Sequence, residues 1–373
     1  MARALLRATP DRRQVSGTSS GPELLSIEAA LGRLSTFDSI LDARTPAEHQ
    51  EDHIPGACCS PVLSNEERML IGTQYKSDSF EAKRLGAAKI ARNVATLLET
   101  ELANKPRQWS ALVYCWRGGN RSGALATILS KVGWRISLID GGYKAFRQHV
   151  LASMPGLVEA RTFRVVCGVT GSGKTRFLEA LARQGAAVLD LEKLAQHRGS
   201  LLGAMPEAPQ PSQKAFESRV WAALRSLPVD QPIYVESESK KIGNVQVPEA
   251  LMTRMRASAC VDVCLETEPR VSLLCEEYQH FFSQPTRLLE QIEKLRPLVG
   301  EDMAEQWRGQ VQAGDWRSLV RGLLEHHYDP SYRRSISRNF PGHAQAVAVR
   351  PSGITPADYD AAASILLGKR STS

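Results

Sequence analysis

The chain has 373 residues, 42% of them apolar, with 47 lysines and arginines against 40 acids for a formal charge of +7. That length suits two domains, each able to bury a core. No apolar run reaches the ~18 residues of a membrane span, and the modest charge permits a polyanionic partner without demanding one. Seven cysteines (58, 59, 115, 167, 260, 264 and 275) form no Cys-x-x-Cys pair and no zinc spacing, so reduced thiols in a cytoplasmic protein are expected.

Met1 to Ser20 is rich in Arg and Ser, has Asp11 as its only acid and lacks a secretory apolar core, which predicts a disordered tail. Over 21–151, short apolar strands at Ser39–Asp42, Ala111–Cys115 and Arg135–Ile139 alternate with amphipathic stretches at Phe80–Leu102 and Ser122–Val132. Such alternation predicts a parallel sheet covered by helices. The segment Ala152-Ser-Met-Pro-Gly156 reads as a linker because it carries Pro and Gly. A second series over 157–373 has strands at Phe163–Cys167, Ala186–Asp190, Pro232–Glu236 and Cys260–Leu265. Beyond Glu266 apolar residues recur at helical spacing, as in Leu288, Leu289, Ile292 and Leu295, and no further strand is expected. The fold class is α/β in two domains, the second a P-loop sheet with a helical C-terminal extension.

Two loops carry the chemistry. In Cys115-Trp-Arg-Gly-Gly-Asn-Arg121-Ser122, the cysteine ends a strand and faces a helix N-terminus, where unpaired N–H groups and the helix dipole favour a thiolate. Gly118 and Gly119 let the backbone close around a sulfur or oxyanion, and Arg117 and Arg121 add positive charge. The catalytic candidates are therefore Cys115, Arg117 and Arg121. A chalcogen carrier and a phosphatase nucleophile both satisfy this loop.

The second loop, Gly168-Val-Thr-Gly171-Ser172-Gly173-Lys174-Thr175, has phosphate-loop spacing between a strand and a helix. Backbone N–H groups from Gly171 to Thr175 would wrap a diphosphate, Lys174 would neutralise it and Thr175 would hold Mg2+. Asp190 and Glu236 each end a later strand and are candidates to hold that metal through water. Neither sits in a standard ATPase acidic motif, so efficient ATP hydrolysis is not expected. The polar, Pro-rich stretch 197–217, with Arg198, Ser212, Gln213 and Lys214, reads as a wall of the same pocket. Lys240 and Lys241 either meet phosphate or form a solvated charge run.

Asp42-Ala-Arg44, Glu48, His53-Ile-Pro-Gly-Ala57 and Ile139-Asp-Gly-Gly-Tyr143 together resemble the rhodanese family, and Cys115 falls where that family carries sulfur. In physical terms Asp42 and Arg44 look like a structural pair, and His53 holds a turn. A rhodanese-like unit followed by a P-loop unit, with Asn65-Glu-Glu-Arg68, Gly72-Thr-x-Tyr75-Lys76, Pro-Gln-Pro-Ser-Gln and Val235-Glu-Ser-Glu-Ser239, resembles the tRNA 2-selenouridine synthase family. That resemblance implies a tRNA substrate with a wobble 2-thiouridine, S-geranylation from geranyl diphosphate, and replacement of sulfur by selenium from selenophosphate. It also implies a selenophosphate-producing enzyme as a partner, no membrane, and Cys115 as the thiol that handles selenium. The chemistry is compatible, because alkylation turns a poorly leaving thiocarbonyl sulfur into a thiol leaving group. Arg333, Arg334 and Arg338, interleaved with Tyr328, Tyr332 and Phe340, suit either RNA phosphate contact with base stacking or the basic outer face of a packed helix. The competing reading is a nucleotide-dependent kinase fused to a rhodanese-like binding module.

Overall fold

A computed structural model describes residues 21–197, 209–282 and 285–368. The expected tail and Arg198 lie outside the described residues. The chain forms two compact units, Met1–Phe146 and Arg147–Ser373.

The first unit runs β1 (Glu23–Leu25), α1 (Ile27–Gly32), β2 (Ser39–Asp42), α2 (Pro46–Glu51), β3 (Ala57–Cys59), α3 (Asn65–Ser77), α4 (Ser79–Glu99), β4 (Ser110–Tyr114), α5 (Asn120–Val132) and β5 (Arg135–Ile139). Its strands form one parallel sheet in the order β1-β5-β4-β2-β3. Every residue of the central strand β4 is buried, as a parallel strand covered on both faces requires. Leu41, Val113 and Ile136 of the sheet pack against Ile90, Val94 and Leu97 of α4 and Leu125 and Leu129 of α5. Capping boxes at Thr45/Glu48 and Ser64/Glu67 start α2 and α3 by satisfying N–H groups that the first turn leaves over.

Helix α6 (Gly142–Glu159) contains the division between the units and the whole of Ala152–Gly156. The expected linker is thus helical. Pro155 removes one helical N–H, but Met154 and Val158 are buried and the Trp221 indole donates to Ser153 Oγ at 2.9 Å. Those contacts outweigh the local cost of the proline.

The second unit continues with β6 (Phe163–Cys167), α7 (Lys174–Arg183), β7 (Ala187–Leu189), α8 (Leu191–Ala195), α9 (Gln213–Ser226), β8 (Ile233–Glu236), a ribbon of β9 (Lys241–Ile242) and β10 (Val245–Gln246), α10 (Glu249–Arg256) and β11 (Ala259–Val263). Then come α11 (Thr267–Glu277), α12 (Gln279–Phe282), α13 (Pro285–Val299), α14 (Glu301–Ala313), α15 (Trp316–Leu323), a π-helical turn (Leu324–Tyr328), α16 (Asp329–Asn339), β12 (Val347–Val349) and α17 (Pro356–Leu366). The main sheet is parallel, in the order β12-β11-β6-β8-β7. β12 corrects the expectation that strands end before Glu266: Val347, Ala348 and Val349 pair with Val261, Asp262 and Val263. Its three residues are too few to show a period against the helices around them. Phe177, Leu178 and Leu181 of α7 and Tyr359, Ala362 and Ala363 of α17 share one core with the sheet, while Trp307 centres a separate cluster of α13, α14 and α15.

Candidate active sites

Both reactive loops leave the C-terminal end of the central strand of a five-stranded parallel sheet, where neighbouring connections diverge and leave a crevice. In the first unit Cys115 follows β4 and is 3% exposed. Ser122 Oγ lies 3.0 Å from Cys115 Sγ and can donate to a thiolate. The N-terminus of α5 has Gly119 as its cap residue and no side-chain cap, so its N–H groups remain available beside the thiol. Gly118 adopts φ +68°, and a Cβ there would meet Ile139 O at 2.8 Å, so this glycine is obligatory for the loop. The Ile139–Tyr143 stretch braces the loop from behind: Tyr143 and Lys144 donate their N–H groups to Cys115 O and Trp116 O at 2.8 and 3.0 Å.

The two arginines differ. Arg121 forms a two-pronged ion pair with Glu48, at 2.6 and 3.2 Å, so its charge is largely spent on the α2 cap. Arg117 is exposed and forms no ion pair among the described residues, which leaves its charge for a ligand. Asp42 and Arg44 form a buried pair at 2.6 Å, with Arg44 also over the Tyr143 ring at 4.0 Å and donating to Asp52 O. Burial pushes the Asp42 carboxyl up, but hydrogen bonds from His49 and Arg44 and the Arg44 charge outweigh it and hold it below the usual range. His53 stacks on His49 and bonds His49 O through Nδ1, a turn-holding role, and burial lowers its pKa. A cleft of about 850 Å³ opens beside the thiol, lined by Cys115, Trp116, Arg117 and the facing sides of α3, α4 and α5.

In the second unit, Gly168, Gly171 and Gly173 all have positive φ. A Cβ at Gly173 would lie 1.9 Å from the Tyr359 hydroxyl, which itself donates to Ser172 O, so α17 presses directly on the loop. Lys174 Nζ donates to Gly168 O at 2.9 Å, which holds the ammonium against the start of the loop. Gly168 N–H donates to the Tyr332 hydroxyl at 2.6 Å, and Arg270, buried and paired with Asp329, donates twice to Thr170 O. Ser172 Oγ is buried and has no hydrogen-bond partner among the described residues.

The acidic residues are arranged differently from expectation. Asp190 caps α8 by accepting from Lys193 N–H, and Glu236 accepts from Glu192 N–H at 2.7 Å; neither lines the cavity of about 370 Å³ over the loop. Glu192 and Glu238 do line it, and Glu192 Oε2 sits 3.3 Å from Thr175 Oγ1. Burial, reinforced by the neighbouring Glu192 charge, pushes Glu238 up to about 8, and burial with the nearby Asp190 raises Glu236 well above the carboxylate range. Glu236 Oε2 is buried and has no hydrogen-bond partner among the described residues. This donor set fits Mg2+, which takes oxygen from a hydroxyl, one or two carboxylates, phosphate and water. Among the described residues no group of three or more His, Cys, Asp or Glu side chains is close enough to hold a metal without such help.

Of the other candidates, Ser212 caps α9, and Gln213 clamps Gln246 of the ribbon; neither reaches the loop pocket, nor do Lys214, Lys240 and Lys241. Tyr328, Tyr332 and Phe340 line that pocket, and Phe340 is buried, so they do not form an open stacking platform. Arg333, Arg334 and Arg338 are exposed on α16 and form no ion pair among the described residues. The inner wall of the pocket, at Thr170, Leu274, Tyr278 and Tyr328, is shared with an apolar seam lined by Phe282, Leu288, Leu319 and Leu323.

Residues 161–290 match the tRNA 2-selenouridine synthase AAA domain, and residues 26–149 match the rhodanese-like domain. The chain is similar to a tRNA 2-selenouridine synthase of Shewanella loihica, 32% identical over 353 residues covering 84% of this chain and 92% of that protein. It is 30% identical to the Marinobacter nauticus synthase, over 80% of this chain and 88% of that protein. It is 36% identical to the Nitrosomonas europaea synthase over 251 residues, a match that spans 63% of that relative's length.

Proposed function

The chain belongs to the tRNA 2-selenouridine synthase family, and on that footing we propose that it replaces sulfur by selenium in the wobble 2-thiouridine of tRNA, in two chemical steps. In the first, the P-loop unit binds geranyl diphosphate. The thiocarbonyl sulfur bonds to C1 of the geranyl group as the C1–O bond breaks, pyrophosphate leaves, and the base loses its N3 proton. In the second, selenium from selenophosphate attacks C2 with its own electron pair, sulfur leaves as geranylthiol with a proton, and water takes the phosphate. The Cys115 thiol would give the departing geranylthiolate that proton, and the N–H groups around it with Arg117 suit the selenophosphate anion.

The observation that carries this reading is the continuity between phosphate loop and apolar seam in the second unit. A nucleotide kinase needs a polar place for a base there, whereas a prenyl diphosphate needs an anion cradle opening onto aliphatic side chains. The seam holds only about 30 Å³ of free space, so the chain enters as Leu274, Phe282 and Leu323 part. Lys174 would leave Gly168 O to meet the diphosphate, and Thr175, Glu192 and Glu238 would hold Mg2+, which supplies charge to stabilise departing pyrophosphate. A tRNA substrate also implies a cytoplasmic setting.

Cys115→Ala is expected to accumulate S-geranylated tRNA with no selenium, and Lys174→Ala to lose geranylation. Both are read by mass spectrometry of digested nucleosides. Loss of geranylation in Cys115→Ala, or its retention in Lys174→Ala, contradicts the division.

A further inference from the structure

The cleft beside Cys115 has no role in handling selenophosphate, a small anion that the N–H cradle and Arg117 would satisfy. Yet its volume, about 850 Å³, lies within the roughly 300–1,000 Å³ typical of ligand pockets. Much of its wall is aliphatic: Ile71 of α3, Gly86, Ala87, Ile90 and Ala91 of α4, and Ile128 of α5. Gly86 lies under Ile71, so close that a Cβ there would touch Ile71 Cδ1 at 3.6 Å, and Ala87 and Ala91 are one helical turn apart, which leaves a furrow along α4. The α3–α4 hairpin also carries Met69, Leu70, Tyr75 and Phe80 at 69%, 52%, 54% and 72% exposure. Large apolar side chains concentrated on one exposed hairpin mark a binding surface. The cationic part of the cleft is Arg68, Lys83 and Arg117, none of them in an ion pair among the described residues.

A ligand matching this wall has an apolar arm, an electrophilic centre within reach of Cys115, and flanking negative charge. We propose that this cleft is a second prenyl-chain site, which holds the geranyl arm of the S-geranylated wobble nucleotide while Arg68, Lys83 and Arg117 meet its flanking phosphates. The inference rests on the proposed function, because that reading brings a geranylated base to the thiol. It assigns to the first unit a lipid-selecting pocket separate from the diphosphate site, so that only alkylated tRNA is held over the selenium donor.

The test supplies the full-length protein with selenophosphate and with tRNA carrying either S-geranyl- or S-methyl-2-thiouridine, so that the P-loop step is bypassed. Wild-type protein is expected to favour the S-geranyl tRNA by at least ~10-fold in kcat/KM, given the apolar area at stake. Ala87→Phe and Ala91→Phe, each at an exposed position that tolerates a ring, fill the furrow, and the preference is expected to fall about 10-fold or more through KM, with Tm unchanged. An unchanged preference in both variants, or a wild-type protein that uses the two tRNAs equally, overturns the second prenyl site alone. Turnover of neither tRNA overturns the proposed function with it.

Discussion

Gly142 shows how one absent side chain shapes the thiol site. A Cβ there would lie 2.3 Å from Cys115 O and 2.6 Å from Gly118 N, and the backbone cannot yield without moving the cysteine loop. Gly142→Ala is therefore expected to lower selenium incorporation at least ~100-fold, as an ångström of misplacement does, with geranylation retained. Normal selenation kinetics in this variant would contradict the account of the loop. Asp42 and Arg44 act at the same scale on stability. Asp42→Asn leaves a buried guanidinium without its counter-charge, and urea unfolding of the first unit should show a loss of about 3–5 kcal/mol. Because the folded Asp42 carboxyl lies below its ordinary value, the pair's contribution is present above pH ~4 and is lost as pH falls further. The first unit should then weaken on acidification below that point, and Asp42→Asn should flatten the decline. Cys115, Lys174 and the Asp42–Arg44 pair were legible in the sequence because each belongs to a local pattern. Glu192 and Glu238 were not, since their reach into the pocket depends on where α8 and the segment after β8 turn. The strand-end positions Asp190 and Glu236 instead serve a helix cap and a buried bond to Glu192 N–H.

At the scale of elements, the C-terminal helices show why the phosphate loop needs a long extension. α16 reaches the loop through Tyr332, α17 through Tyr359, and the π-helical turn places His327 and Tyr328 on the pocket wall. Such turns shift the facing of a helix by one residue and recur at functional sites. On α16 the pocket face is Tyr332, Ser335, Ile336 and Asn339, and at about 100° per residue Arg334 and Arg338 flank it on one side. RNA phosphates passing this rim would meet both arginines. Arg334→Ala with Arg338→Ala is expected to weaken tRNA binding and lower the slope of log K against log salt by about 1–2. An unchanged slope would leave the helix a purely structural role. The five-residue, mostly apolar strands β4, β5 and β6 were readable from pattern, as was the helical period of α13. β1, β3 and β12 have three residues each and draw their identity from pairing. α6 hid behind its own Pro155, since local composition favours a break that burial of Met154 and Val158 overrides.

For the molecule as a whole, two α/β units each place one glycine-rich loop at the end of a central strand, and one carries a thiol while the other carries a lysine and a threonine hydroxyl. On the proposed function neither chemistry completes sulfur-to-selenium exchange alone: the P-loop unit would make the leaving group, and the thiol unit would displace it. That architecture was visible in the alternation of strands and helices and in the spacing of the two loops, whereas the cleft of α3, α4 and α5 was not, because its wall is assembled from helix faces that only packing brings together. The most direct test incubates the purified protein with tRNA containing 2-thiouridine, geranyl diphosphate and selenophosphate, then weighs the digested nucleosides by mass spectrometry. The account predicts conversion of 2-thiouridine to 2-selenouridine, with the S-geranyl nucleoside appearing when selenophosphate is withheld. Unchanged 2-thiouridine, together with turnover of ATP by the protein in the absence of tRNA, would contradict it.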